Sequence, residues 1–303
     1  MPEYPDLTVY LEAIDRDLVG KTLERVRVAS PFLVRTHDPR VTALEGLTLR
    51  GTRRLGKRLV FAFEDDLFLV LHLMIAGRLR LKPKGDPIVR KVGLAAFDFT
   101  DATLSLTEAS PKKRASLHVV RGEAALDELD PGGLEPFAIT LEAFAERLRS
   151  ENHTLKRALT DPHLFAAIGN AYSDEILHRA KLSPVQLTSR LDDASIARLF
   201  ACTHAVLNEW TERLRKAAKG KFPDKVTAFQ GAMAVHGKYG EPCPVCGTPV
   251  QRIRRAANEV NYCATCQTGG KLLADRGLSR LLHEDWPETL EELEEMKRIR
   301  RNP

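Results

Sequence analysis

Four cysteines near the end of the chain have the spacing of a metal site. They form two C-x-x-C pairs, "CPVC" and "CATC", separated by 16 residues. Each pair places two thiolates on one tight turn, and two such turns facing each other across a short hairpin complete a tetrahedral sulfur shell. The sequence therefore predicts one structural Zn2+ and no open coordination position for catalysis, with the ligands Cys243, Cys246, Cys263 and Cys266.

Other interpretations of the cysteines are weaker. Disulfides are disfavoured in a reducing cytosol, and a redox pair would need a thioredoxin-like unit, which this region does not resemble. The fifth cysteine, Cys202, lies within "ARLFACTHAVLNEW" and is interpreted as a helical core residue.

The chain begins "MPEYPDL", so that a proline follows the initiator methionine and a glutamate stands beside it. Taken alone, this start indicates only a rigid first residue. Whether Pro2 and Glu3 do chemistry depends on the rest of the chain.

Composition and charge limit the classes of function. The chain has 303 residues, 43% of them hydrophobic, which is enough for a proper core and predicts two domains. It has neither an apolar run of membrane-spanning length nor the pattern of a secretory signal, which predicts a cytoplasmic protein. The net charge is only +5, but the cations are grouped in five clusters, which favour a surface that meets the phosphates of a nucleic acid. A single cluster would indicate no more than a solvated face.

The pattern of apolar residues changes along the chain. Helical spacing predicts a helix from Asp6 to about Leu18, and "RLVFAFEDDLFLVLHL" and "LAAFDFTDATLSLTEA" predict two β-hairpins. After the linker "LDPGGLEPFAIT" the pattern is helical from about Leu141 to Lys216, and the zinc hairpin follows from about Val226 to Gln267. The last stretch, "DWPETLEELEEMKRIRR", has acids early and bases late, and it is interpreted as a charged, solvated helix. The tail after Gly269 could also pack on the protein or bind a partner.

One motif in the helical region is suited to phosphate. In "LKRALTDPHLFAAIGNAYSDEILHRAKLSP" two helical patterns are joined by a turn at Ile168, Gly169 and Asn170. The turn exposes the amides that begin the second helix, and Asn170 can cap that helix or donate from its side-chain amide. The joint is therefore a natural phosphate seat, although a lone Gly-Asn turn would prove nothing.

Together these motifs resemble the formamidopyrimidine-DNA glycosylase and endonuclease VIII family of base-excision repair enzymes. The resemblance runs from Met1 to about Gln267 and rests on "MPEYPD", "RRLGKRLVF", "LHLMIAGRLR", the Gly-Asn turn and "GKYGEPCPVCGTP". It implies an α+β fold with a leading helix, an N-terminal β-sandwich, a helix-two-turn-helix domain, a zinc-ribbon hairpin and an extra C-terminal tail. We expect the boundaries 1–136, 137–225, 226–270 and 271–303.

The resemblance gives the N-terminal residues a chemical role. Once Met1 is removed, the secondary amine of Pro2 can attack C1′ of a deoxyribose and form an iminium. Glu3 is implied as the general acid/base and Lys57, in "GKR", as the strand lysine that contacts phosphate near the lesion, with Arg54 and Arg58 as neighbouring phosphate contacts.

Base chemistry in a duplex requires the nucleotide to leave the stack and its gap to be filled. The family match assigns gap filling to Ile75 in "HLMIAG" and to Lys113 and Arg114 in "SPKKRAS", a loop without an aromatic residue. It assigns phosphate or site contacts to three further residues, Lys156, Asn170 and His72.

The sequence departs from the family pattern at residues expected to bind the lesion and its flanking phosphates. The family's arginine at the zinc hairpin is replaced by Asn258, which loses a charge-assisted fork on phosphate. Arg254 or Arg255 could compensate, but strand alternation points at most one of them towards DNA. His236 replaces a tyrosine, and "KGKFPDKVTAFQGA" is shorter than the lesion-capping loop. These changes argue against recognition of 8-oxoguanine.

Three hypotheses therefore remain. In the first, the protein is a bifunctional glycosylase/AP lyase that acts as a monomer on damaged or abasic DNA in the cytoplasm, at the nucleoid. In the second, it is a lyase for abasic sites, unusual lesions or single strands. In the third, it is a non-catalytic DNA-binding relative. Retention of Pro2, Glu3 and Lys57 argues against the third. A zinc-ribbon RNA-binding protein would explain the cysteines and the charge but not the Pro-Glu start.

Overall fold

A computed structural model describes residues 1–223, 226–227, 230–255, 258–274 and 287–301, except for the side chains at 255, 258, 297, 300 and 301. The chain divides into two compact units. Unit 1 contains Met1–Gly133 and Asn208–Ala228, and unit 2 contains Leu134–Leu207 and Phe229–Pro303. No helix in the described part of the chain is long and apolar enough to cross a membrane.

Unit 1 is built from a leading helix and two four-stranded antiparallel sheets. The sheet orders are β1-β6-β7-β5 and β2-β3-β4-β8. The elements are α1 (Tyr4–Leu18), β1 (Leu23–Val28), β2 (Leu49–Leu55), β3 (Arg58–Phe63), β4 (Leu67–His72), β5 (Gly77–Pro83), β6 (Gly93–Phe99), β7 (Ala102–Glu108), β8 (Ser116–Arg121) and α2 (Glu123–Asp127).

The core of unit 1 lies between the two sheets and includes the buried stripe of α1. Alternating side chains of both sheets point inward, as the two-residue period of a strand requires. They join α1 residues in one apolar cluster, which includes Leu7, Ile14, Leu59, Phe61, Leu71, Leu79, Phe97 and Leu106. This is the β-sandwich that the sequence predicts.

Unit 2 is helical, with the zinc hairpin attached. Its elements are α3 (Leu141–Arg149), α4 (Leu155–Thr160), α5 (Asn170–Ala180), the first part of α6 (Asp193–Ala218), β9 (Gln251–Arg255), β10 (Asn258–Tyr262), α7 (Ala264–Thr268) and α8 (Leu290–Arg301). The α4–turn–α5 pair is the expected helix-two-turn-helix. The α+β class and its components are thus confirmed.

Two local expectations were wrong. The first helix begins at Tyr4 rather than Asp6, because Glu3 serves as its N-cap and Pro5 fits the first turn, where a backbone N–H is not needed. Asn170 does not cap the second helix of the motif, because Gly169 occupies the N-cap and Asn170 is the first helical residue. The fourfold domain division is not decided by the two compact units and stays a prediction.

Candidate active site and DNA-binding elements

The N-terminus of unit 1 holds Pro2 and the carboxyl of Glu3 next to each other in a buried position. Pro2 is buried, and Glu3, next to it, is only 2% exposed. The backbone N–H of Glu3 donates to Asp6 Oδ2 across 2.9 Å, one half of a capping box that fixes the first turn of α1. The start of the chain is therefore held in one geometry.

The turn between β2 and β3 carries Lys57 to this end of α1. Gly56 adopts a φ of +56°, which a side chain would disfavour, so that the chain reverses just before the lysine. Arg54, from the same turn, lies over the ring of Tyr4 with 4.4 Å between the guanidinium carbon and the ring centroid. This cation–π contact attaches the turn to the first residue of the helix.

The electrostatic surroundings favour a neutral amine. Burial lowers the pKa of the N-terminal amine of Met1, and the positive charges of Arg78 and Lys57 lower it further, while Glu3 and Asp6 oppose them. An uncharged amine is a nucleophile, whereas an ammonium is not. A buried carboxyl beside it can supply and accept protons.

Three residues assigned to phosphate or site contact have a protein partner or lack a charge. Arg58 donates to the carbonyl oxygen of Leu129 across 2.7 Å, and Arg54 is stacked as described. His72 ends β4; burial lowers its pKa to about 4, helped by Arg58 and Lys57. At neutral pH, His72 can thus offer a hydrogen bond but no charge.

The two expected gap-filling segments differ in how they are held. Ile75 is 59% exposed at the turn after β4, beside Met74 with a φ of +52°. In the loop after β7, the buried carboxylate of Glu108 accepts the backbone N–H groups of Arg114 and Ala115 at 2.9 and 3.1 Å. Lys113 donates to the carbonyl oxygen of Glu108, so its ammonium lies against its own loop. Arg114 remains exposed.

In unit 2, Lys156 and Asn170 meet at the start of α5. Lys156 is 8% exposed, and its Nζ donates to the carbonyl of Asn170 at 2.6 Å and to Asp174 Oδ1 at 2.5 Å. Both residues line a cavity of about 200 Å³ together with Thr154, Arg157, Thr160, Pro184, Val185, Ile253 and Val260. The cavity has a cationic wall at a helix N-terminus, a combination that suits an anion.

The zinc hairpin presents one described arginine to solvent. The side chain of Arg254 is 64% exposed, and its Nε lies 3.8 Å from Glu259 Oε2. Arg252, two residues earlier, lies over the ring of Tyr239 at 4.0 Å. The backbones of Arg255 and Asn258 pair in the hairpin, but their side chains are outside the described part of the structure.

The four sulfur atoms fit a tetrahedral zinc ion. All lie within 4.8 Å of one another, with 3.9 Å between Cys243 and Cys266 and 3.4 Å between Cys246 and Cys263. Zn–S bonds of about 2.3 Å in a tetrahedron place sulfurs about 3.8 Å apart. The residues therefore hold one structural Zn2+, as the cysteine spacing predicts.

Several polar residues were missed at the sequence level. Asp174, 1% exposed, also accepts from His236 Nδ1 at 2.8 Å, and Glu175 accepts the backbone N–H groups of Ala234, Val235 and His236 at 2.8 to 3.0 Å. These carboxylates fasten α5 to the segment before the first cysteine pair. The only available signal was two adjacent acids, "SDEIL", within a helical pattern.

Comparison with known proteins places three matches along the chain. The formamidopyrimidine-DNA glycosylase N-terminal domain matches residues 1–116, its H2TH domain matches 132–219, and the zinc finger found in FPG and IleRS matches 240–269. The matches follow the order of the elements described above.

Whole-chain relatives agree with the domain matches. Formamidopyrimidine-DNA glycosylases of Geobacillus kaustophilus and Listeria monocytogenes are 32% and 30% identical over 277 and 279 residues, covering 88% of this chain and 100% of each relative. A Lactococcus lactis Fpg solved with DNA containing an abasic site has a TM-score of 0.78 and 27% identity, and the match covers 88% of this chain and 99% of the other. The chain therefore belongs to the formamidopyrimidine-DNA glycosylase family.

Proposed function

We propose that Pro2 is the nucleophile, Glu3 the general acid/base and Lys57 a phosphate-contacting catalytic cation of this DNA repair enzyme, a bifunctional glycosylase/AP lyase. One observation carries the assignment. Glu3 is buried at the N-cap of α1 beside Pro2, and the charges of Lys57 and Arg78 act on the amine of Met1, one residue before Pro2. Solved relatives from Lactococcus lactis hold abasic-site and Fapy-dG DNA, which supports the same substrate class here.

The reaction requires a free amine on Pro2, hence removal of Met1. The lone pair of that amine attacks C1′ of the nucleotide, the damaged base departs if one is present, and Glu3 protonates the sugar ring oxygen as the ring opens to an iminium. Loss of a C2′ proton then expels the 3′ phosphate, and a second elimination expels the 5′ phosphate. Hydrolysis of the imine returns the amine.

The proposal includes a DNA-binding surface in each unit. In unit 1, Ile75 and Arg114 fill the space of the extruded base. Lys113 belongs to the same loop as Arg114, and His72 contacts the site. In unit 2, Lys156 and Asn170 form the phosphate seat, and Arg254, Arg255 and Asn258 belong to the hairpin that approaches DNA. We further propose that the protein acts as a monomer in the cytoplasm, at the nucleoid, where its substrate lies.

A second candidate function keeps the lyase chemistry and changes the substrate. Asn258 stands where the family has the zinc-finger arginine, and an amide binds phosphate more weakly than a guanidinium fork. The enzyme would then act on abasic sites, on single-stranded DNA or on unusual lesions, and would not excise 8-oxoguanine.

Borohydride trapping tests the first proposal. The protein is incubated with an oligonucleotide that bears one abasic site, reduced, and examined for a covalent adduct and for strand cleavage. Intact-mass analysis first establishes that Met1 is absent. We expect the wild type to crosslink and cleave, and Pro2→Gly, Glu3→Gln and Lys57→Ala to cleave at least tenfold more slowly.

Two exposed substitutions serve as matched controls, Glu24→Gln for the carboxyl and Lys84→Ala for the ammonium. The catalytic assignment is refuted if protein with a free Pro2 forms no adduct, or if the controls lose as much cleavage as the site variants. A panel of duplex and single-stranded substrates that includes 8-oxoguanine then separates the two candidate functions.

A further inference from the structure

We propose that the C-terminal extension beyond residue 269 braces the zinc hairpin through its residues 271–273 and 288–290, and so keeps the hairpin in the geometry that binds DNA. The last family match ends at residue 269, and the Listeria and Geobacillus relatives are matched over their whole length by 88% of this chain. The extension is thus an addition to the family fold. The proposal does not depend on which residues carry out catalysis.

The extension folds back beside its own start. Lys271 and Thr289 form an isolated antiparallel bridge, and the backbone N–H of Leu272 donates to the carbonyl of Glu288 across 2.8 Å. Thr268, at the end of α7, donates from Oγ1 to the carbonyl of Lys271 at 2.6 Å. Residues on both sides of the bridge are therefore fixed next to the second cysteine pair.

The paired segments of the extension then pack on the hairpin. Leu272, Leu273 and Leu290 contact the cluster formed by Ile253, Tyr262 and Ala264, with Val185 and Val260 at its edge. Ile253 and Tyr262 are only 2% and 1% exposed. The backbone N–H of Leu273 also donates to Tyr262 Oη across 2.8 Å. Leu290, which begins the terminal helix, is thus packed on the hairpin cluster, so the tail is not solvated throughout.

This packing reaches the proposed phosphate seat. Ile253 and Val260 are opposite each other in the hairpin, and both, with Val185, line the cavity that holds Lys156 and Asn170. A two-stranded hairpin is marginal by itself and gains its rigidity from what packs on it. We infer that the leucines of the extension restrict the hairpin that carries Arg254 and Asn258, and thereby maintain the shape of this cavity.

A matched pair of substitutions on one helix tests the brace. Leu290 contacts the hairpin cluster, whereas Ile299, nine residues later on α8, is 63% exposed. In zinc-loaded protein, we expect Leu290→Asn to accelerate hydrogen exchange of the β9 and β10 amides at least tenfold and to weaken binding to abasic duplex DNA several-fold. Ile299→Asn should leave both unchanged.

A chain that ends at Gly270 extends the test. The shortened chain should show the same faster exchange in the hairpin and faster zinc release to a chelator. Amides of the β-sandwich should exchange as in the full chain, and this result would show that unit 1 is folded. The brace is refuted if hairpin exchange and DNA affinity are the same in Leu290→Asn and Ile299→Asn. It is also refuted if the shortened chain has the hairpin exchange and the DNA affinity of the full chain. Borohydride adduct formation with a short single-stranded abasic substrate separately reports whether the catalytic proposal holds.

Discussion

The side-chain amide of Asn170 donates to the backbone carbonyl of Glu259 across 2.8 Å, which ties the first residue of α5 to a strand of the zinc hairpin. The carbonyl of Asn170 in turn accepts from Lys156 Nζ. The residue that sequence motifs associate with phosphate therefore also joins the two DNA-binding elements of unit 2. A phosphate bound there would be held by groups whose positions depend on one another.

Removal of this amide should weaken DNA binding. Asn170→Ala loses one hydrogen bond to the hairpin and one donor to phosphate, and each is worth about 1 kcal/mol, so we expect about 30-fold lower affinity for abasic duplex DNA. Fluorescence anisotropy at a fixed salt concentration measures this affinity. Asn152→Ala removes an exposed asparagine from the same unit and should have no effect. Equal affinities for the two variants would contradict the role of Asn170.

Local patterns in the sequence predicted much of the fold because each depends on near neighbours in the chain. The cysteine pairs indicated the metal, and the alternating runs around Asp65 and Asp101 indicated the β3–β4 and β6–β7 hairpins, which the structure contains. The helix-two-turn-helix could be predicted for the same reason. In each case, side-chain period and turn chemistry lie within one short stretch of sequence.

Features that depend on distant partners were not predictable in this way. Asn170 seemed a suitable cap, but its amide bonds to Glu259, 89 residues later. The terminal stretch is rich in charges and was interpreted as a solvated helix, yet Leu290 at its start packs on the cluster that contains Ile253. Arg58 was assigned to phosphate contact from its motif, and its bond to the carbonyl of Leu129, 71 residues later, has no local signal. A single sequence does not state which buried groups will meet.

Asp6 should make the stability of unit 1 depend on pH. Burial raises its pKa to about 7, and its Oδ1 has no hydrogen-bond partner among the described residues. Because the pKa is raised, this group's favourable contribution to folding is complete below about pH 4, its ordinary value, and is lost as the pH rises through about 7. A shift of about three units corresponds to an upper limit of about 4 kcal/mol.

Asp6→Asn removes that titration and can keep the bond from the Glu3 amide. We expect the free energy of urea unfolding of Asp6→Asn, relative to wild type, to rise by a few kcal/mol between pH 4 and pH 8. The exposed substitution Asp127→Asn should show no such trend. A pH-independent difference between wild type and Asp6→Asn would mean that the buried carboxyl does not titrate in this range.

His178 should stabilise the zinc site from outside the ligand shell. Its Nε2 lies 3.3 Å from Cys243 Sγ, and burial lowers the pKa of the ring. A neutral imidazole N–H donated to a zinc-bound thiolate orients that ligand, and loss of such an outer-shell partner typically costs 10- to 100-fold in metal affinity.

His178→Phe fills similar volume without the donor. We expect at least tenfold faster zinc release to a chelator, and a shift of the thiolate-to-metal charge-transfer band in the cobalt-substituted protein. The exposed His163→Phe is the matched change on the same unit. If the cobalt spectrum of His178→Phe coincides with that of the wild type, the 3.3 Å approach is packing rather than a hydrogen bond to the ligand.

Asn258→Arg tests the proposal that position 258 lies at the DNA phosphates. Asn258 begins β10, opposite Arg255 in the hairpin, so an arginine there adds a guanidinium to this strand. We expect tighter binding to abasic duplex DNA and a salt dependence of log K steeper by about one, because each neutralised phosphate releases close to one counterion. Asn208→Arg adds the same charge at an exposed site on α6 and should leave the slope unchanged. A gain confined to duplex substrates would support the second candidate function, whereas equal slopes for the two variants would exclude a phosphate contact at position 258.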